Sequence, residues 1–226
     1  VCGPVGPQTQ SQLTKHTEIQ GRPRSANFCK NMDSAIPTTT DATAAGSRPR
    51  ALVVMGVSGC GKSSVGQALA DALGWTLHEG DAHHAEESIR KMQAGIPLTD
   101  DDRSGWLDRL ARLLAQAMPG QGVVLTCSAL KRKYRDRLRA AGPAGAVGFV
   151  FLDLDYGTAL QRVQERAGHF FSPELVANQF ATLESPAGER AVLSVDATLP
   201  LADIVHRAQD WLVHPAPQAA PLSQNP

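Results

Sequence analysis

The chain has 226 residues, with 22 basic and 22 acidic side chains and no net charge at neutral pH. No global field would gather nucleic acid, no apolar run approaches the roughly 20 residues needed to cross a bilayer, and the first 30 residues lack the apolar stretch of a secretory signal. These features exclude nucleic acid and membrane as expected partners and place the protein in the cytoplasm. Cys2, Cys29, Cys60 and Cys127 are widely spaced with no CxxC pair, which suits a reducing compartment and predicts neither a disulfide framework nor a zinc site.

Residues 1–50 carry six Lys and Arg against three acidic groups and are otherwise rich in Ser, Thr, Pro, Gly, Asn and Gln. Such a segment cannot bury a core. It reads as a disordered leader, and because the chain opens on Val1 rather than Met, the sequence reads as a fragment or an over-extended reading frame. Residues 51–213 hold all three Trp and nearly all the Leu, Val and Ile, enough for one domain of ordinary size. Residues 214–226 are Pro, Ala and Gln and read as a flexible tail.

Ala51-Leu52-Val53-Val54-Met55 is a short continuous apolar run closed by a glycine, the pattern of a strand buried on both faces. Helical spacing of Val65, Leu69, Ala72 and Leu73 follows over residues 62–73, stopped by Gly74. Further strands are predicted at 76–79, 123–127, 147–152 and 191–195. Helices are predicted over 100–118, 131–141, 156–167, 173–183 and 201–212. Strands alternating with helices give an α/β class, a parallel sheet with helices on both faces. In such sheets ligands bind beyond the carboxyl ends of the strands, so the residues there are the candidates.

The first strand-to-helix junction reads Gly56-Val57-Ser58-Gly59-Cys60-Gly61-Lys62-Ser63, followed by Ser64. It fits G-x-x-x-x-G-K-[ST] in the required setting. Glycines let successive N–H groups point inward at phosphate oxygens, and the helix start adds its unpaired donors. Lys62 would reach the β and γ phosphates of a nucleotide and Ser63 would ligate Mg²⁺. No N-K-x-D for reading guanine is present, and the D-x-x-G from Asp71 to Gly74 lies inside the first helix. The third strand ends in Thr126-Cys127-Ser128 rather than in the acid that motor ATPases use for Mg²⁺. These absences favour transfer to a small acceptor.

On the acceptor side, Asp81 follows the second strand and is either a base for an attacking hydroxyl or a helix cap. His83 and Arg90 can face the same way. Thr99 and Asp102 approximate a capping box before the long helix, which leaves Arg103 either binding an anionic group or lying idle against the dipole. Six of the nine residues from Lys131 to Arg139 are basic. Lys131 and Arg135, one turn apart just after the third strand, are the cleft candidates among them. Arg162 and Arg166 repeat that spacing ahead of Gly168-His169, as a closing lid would need; surface salt bridging is the other reading.

The blocks GVSGCGKS, GDAHHAEESIRKMQAGIPLTDDDRSGWL, CSALKRKYRDRLR and RAGHFFSPELVANQFATLESP, in this order, resemble the gluconokinases, phosphate-loop kinases related to shikimate kinase. The likeness covers nearly all of 51–213. It implies a nucleoside-monophosphate-kinase-like fold of strand order 2-3-1-4-5 with a lid, and commonly a homodimer. It also implies phosphorylation of the 6-hydroxyl of D-gluconate by ATP with Mg²⁺. Under the resemblance Gly56 to Ser63 match the ATP site and Arg162 and Arg166 the lid, while Asp81, His83, Arg103, Lys131, Arg135 and His169 fall in blocks facing the sugar acid. A kinase for another small hydroxy acid or a nucleotide, or a non-catalytic nucleotide-binding protein, are the alternatives. Cys60, near a helix N-terminus, is expected to have a lowered pKa and to be oxidisable.

Overall fold

The computed structural model describes residues 48–165 and 173–214. All but the last three residues of the expected leader, the tail beyond His214, and the lid candidates Arg166 and His169 lie outside the described residues.

Five strands, β1 (Ala51–Met55), β2 (Thr76–Glu79), β3 (Val123–Thr126), β4 (Val147–Asp153) and β5 (Val192–Asp196), form one all-parallel sheet in the order β2-β3-β1-β4-β5. This is the implied order. The helices are α1 (Lys62–Leu73), α2 (Glu86–Gln93), α3 (Asp100–Ala117), α4 (Arg132–Arg139), α5 (Tyr156–Glu165), α6 (Pro173–Thr182) and α7 (Leu201–Val213). Two elements were not predicted: a single 3₁₀ turn at Gly80–His83, and α2. Both are too short and polar to show a hydrophobic period. The order of charges along α2, Glu86 and Glu87 in the first turn and Arg90 and Lys91 in the last, does suit its dipole.

The central strand explains the layering. β1 is buried along its whole length and pairs on both sides, so its alternating side chains feed two cores. Leu52 and Val54 join Val65 and Leu69 of α1 and Ile204 and Leu212 of α7 on one face. Val53 and Met55 join Leu110 and Leu114 of α3 and Leu138 of α4 on the other. α1 ends where Gly74, at φ 65°, turns its N–H back to the carbonyls of Ala70 and Asp71.

All five strand ends point to one edge, and one contact there is unusually close. A Cβ on Gly80 would stand 2.2 Å from the Thr126 carbonyl oxygen, so only glycine lets the end of β2 press against the end of β3. The Gly80 N–H donates to Thr126 Oγ1 at 3.3 Å, and the indole of Trp106 on α3 donates to the Gly80 carbonyl at 2.8 Å. The 3₁₀ turn that carries Asp81 is thereby fastened to both β3 and α3. No helix among the described residues is long and apolar enough to cross a membrane.

Candidate active site

Gly56, Gly59 and Gly61 take φ values of 144°, 84° and 91°, backbone conformations that other residues rarely adopt, and they curl the loop between β1 and α1. A Cβ on Gly59 would lie 2.8 Å from the Ala159 carbonyl oxygen, so α5 packs directly against the loop. Lys62 Nζ donates to the Val57 carbonyl at 3.0 Å, which holds the ammonium over the loop. From α5, Arg162 Nη1 donates to the Ala197 carbonyl at 3.1 Å and lies 3.5 Å from that of Gly59, tying the loop to the segment after β5.

Cys60 corrects one expectation. Its thiol is buried, and burial raises its pKa despite the opposing pull of Lys62. The desolvation of a thiolate outweighs the helix start, so Cys60 is not poised for oxidation. Cys127 is buried as well and pushed up to about 12 by desolvation.

β3 ends without an acid, and one stands instead at the end of the neighbouring strand. Glu79, the last residue of β2, lies in register with Thr126. Its Oε2 accepts from the Ser63 hydroxyl at 3.2 Å and from the Thr126 hydroxyl. Glu79 was not singled out by the sequence reading, although its place at the carboxyl end of a strand was the available signal.

Beside the loop a small cavity is lined by Ser58 and Lys62 of the loop, Asp81 and His84 of the turn, and Arg103 of α3. Ser128 after β3, Met92 of α2, Ile96, Pro97 and Leu98 between α2 and α3, and Leu175, Asn178 and Gln179 of α6 complete the wall. Four predicted residues, Ser58, Lys62, Asp81 and Arg103, are thus brought together. The capping explanation for Asp81 does not hold, since no side-chain cap bond starts either the 3₁₀ turn or α2, and its carboxylate is 80% exposed at the cavity. The capping box at Thr99 and Asp102 is present, and Asp102 also accepts from Lys91 of α2 at 2.7 Å. Among the described residues Arg103 makes no ion pair; its guanidinium lies 6.0 Å from the Tyr134 ring.

Four other predicted residues are placed elsewhere. Arg135 is fully buried, and all five of its N–H groups are used: on both carboxylate oxygens of Glu189 and on the carbonyls of Ala129, Leu130 and Glu184. It has no donor left for a substrate. Lys131 stands at the N-cap position of α4, with no side-chain cap bond, and donates to both oxygens of Asp100, at 2.8 and 3.1 Å, away from the cavity. Asp100 also accepts from Lys133 and Tyr134, and these bonds hold its carboxyl well below the usual range. Arg90 is exposed on α2 and does not line the cavity. His83 turns toward His78, with ring centroids 6.3 Å apart, while its neighbour His84 takes the cavity position. Adjacent histidines in a tight turn point in different directions, and sequence cannot choose between them.

The His84 side chain is 3% exposed, stacks on Trp106 at 4.2 Å and 13°, and sets Nε2 3.9 Å from Asp81 Oδ1. Its Nδ1 is buried without a hydrogen-bond partner among the described residues. Burial lowers its pKa from 6.5 to about 4, against the opposing pull of Asp81. The sign follows from linkage. Above about 6.5 the imidazole is neutral in both states; between there and about 4 only the unfolded chain takes up the proton. Stability is therefore expected to fall as pH drops through that window, by up to about 3 kcal/mol from this group. Denaturant titrations should show the loss in the wild type and a flatter curve for His84→Phe. An unchanged slope in that variant would mean the imidazole titrates freely.

The sequence profile of the shikimate kinase family matches residues 58–193. The gluconokinase of Gluconobacter oxydans (strain 621H) is 47% identical over 158 residues, 70% of this chain and 88% of that protein. The chain belongs to the gluconokinase family. The thermoresistant gluconokinase of Escherichia coli (strain K12) is 41% identical over 155 residues, 68% of this chain and 87% of that protein. Among solved structures, a gluconokinase from Sinorhizobium meliloti 1021 superposes with a TM-score of 0.67 at 49% identity, covering 74% of this chain and 93% of that one.

Proposed function

We infer that this protein transfers the γ-phosphoryl group of ATP to the 6-hydroxyl of D-gluconate, giving 6-phospho-D-gluconate and ADP. The observation that carries the reading is the single cavity that joins Lys62, Asp81 and Arg103 in a chain of this family. The bond from O6 to the γ-phosphorus forms as the bond from that phosphorus to the β–γ bridging oxygen breaks. The hydroxyl proton passes to the Asp81 carboxylate. Lys62 and the loop amides from Gly56 to Ser64 would stabilise the phosphate charge. Arg103, a cation in a partly enclosed cavity, would pair with the gluconate carboxylate through its planar fork.

Ser63 and Glu79 present a hydroxyl and a carboxylate in contact, a set of hard oxygen donors that fits Mg²⁺. Ser63 and Glu79 would hold the ion, which would supply positive charge against the negative charge developing during transfer. Arg162, with Arg166 and His169, is proposed to close over the transferring group. A kinase domain spanning 51–213, a homodimer and a cytoplasmic location belong to the same reading and rest on the family resemblance.

The test is an ADP-release assay over a panel of sugar acids, shikimate and nucleoside monophosphates. Gluconate is expected to be the best acceptor, with release abolished by a chelator and restored by Mg²⁺. A preference for shikimate or a nucleotide, or no acceptor-dependent ADP at all, would overturn the assignment.

A further inference from the structure

One residue touches both halves of the site, and no motif announced it. Gln179 of α6 lines the acceptor cavity, and its Oε1 accepts from the Ser58 amide of the phosphate loop at 2.7 Å. A backbone N–H can only donate, so the carboxamide oxygen must face it. That oxygen sits where the loop offers a donor to anionic oxygens. Behind Gln179 the helix is fastened: the Leu183 N–H donates to the Gln179 carbonyl at 2.9 Å, and the Glu184 N–H to the Leu130 carbonyl at 2.9 Å. The Glu184 carbonyl in turn accepts from the buried Arg135 at 3.0 Å. The cavity encloses about 60 Å³, room for a few waters but not for a sugar acid, so the acceptor can enter only if a wall moves.

We propose that Gln179 is a latch coupling the two substrate sites: its hydrogen bond to Ser58 holds the α6 wall against the loop, and either substrate releases it for the other. A phosphate oxygen that takes the Ser58 N–H frees Gln179 and lets the wall yield to the acceptor. An acceptor that displaces the wall frees the same N–H for phosphate. The substrate arriving second no longer has a bond to break, so each tightens the other, and by linkage the two factors are equal. The inference rests on the acceptor reading of this cavity.

The test is calorimetric titration of gluconate into the full chain, with and without a non-hydrolysable ATP analogue and Mg²⁺. In the wild type the analogue is expected to tighten gluconate about 5-fold, the equivalent of about 1 kcal/mol for one net hydrogen bond. Gln179→Met keeps the side-chain volume and removes the oxygen. It should bind gluconate about 5-fold more tightly than wild type when no nucleotide is present, with the coupling factor reduced to about 1. Ser58→Pro removes the N–H together with the side-chain hydroxyl, and Ser58 is not among the residues at positive φ, so proline fits its backbone range better than a left-handed position would allow. It should lose the coupling in the same way.

A gain in affinity is a readout that mere damage to the fold would not produce. Unchanged or weakened gluconate binding in Gln179→Met overturns the proposal, as does a wild type that turns over gluconate without coupling. A wild type that does not turn over gluconate overturns the acceptor reading along with it.

Discussion

Asp81→Asn is expected to lower kcat for gluconate phosphorylation by about 10²–10⁴-fold, the range for loss of a positioned acid or base. The affinity for an ATP analogue should stay within about 2-fold of wild type. The substitution keeps the shape of the side chain and removes the lone-pair charge that receives the hydroxyl proton. Asp81 accepts no backbone cap that the amide would lose, and its turn is held independently by the Gly80–Thr126 contact and by Trp106. The fold should therefore survive, and a thermal melt can check that it does. ADP release under saturating gluconate, together with analogue titration, separates chemistry from binding. Near-normal turnover in this variant would remove Asp81 from the proton transfer and leave the position of the cavity as the only support for the acceptor assignment.

The largest expected loss of stability lies at a residue that sequence alone would have placed in the substrate site. Arg135→Leu should destabilise the domain by about 3–5 kcal/mol, the cost of breaking a buried ion pair from one side. For a domain of this size that corresponds to roughly 10 °C in Tm. Glu189, 7% exposed on its side chain, would keep only Arg139 as a side-chain ion-pair partner, the carbonyls of Ala129 and Glu184 would lose the Arg135 donor, and that of Leu130 would keep only the Glu184 N–H. Ala129 stands at φ 44°, an unfavourable conformation for alanine, and Arg135 is one of the contacts that holds it there. Chemical denaturation should show the loss. Had Arg135 gripped the sugar acid, the same variant would instead keep its Tm and raise KM, so the two measurements distinguish the roles without ambiguity.

The sequence alone determined the features that depend on near neighbours. The run from Gly56 to Ser64 forms a phosphate loop because its glycines and the strand and helix on either side are all contiguous in the chain. The alternation of apolar runs with helical periods likewise determined the parallel sheet, and the rule that ligands gather at strand ends pointed to Asp81. Tertiary structure decided which charges face the cavity. Six basic residues crowd the stretch from Lys131 to Arg139, and nothing local says that Arg135 will meet Glu189, 54 positions onward, or that Lys131 and Lys133 will meet Asp100. The same holds for His84 rather than His83, for Glu79 reaching Ser63, and for Gln179 reaching Ser58 across 121 positions. A side chain's period along its own helix or turn says which residues share a face. Only the packing of that element against others says what the face meets, because the partner is contributed by a distant segment and is selected by burial and geometry rather than by spacing.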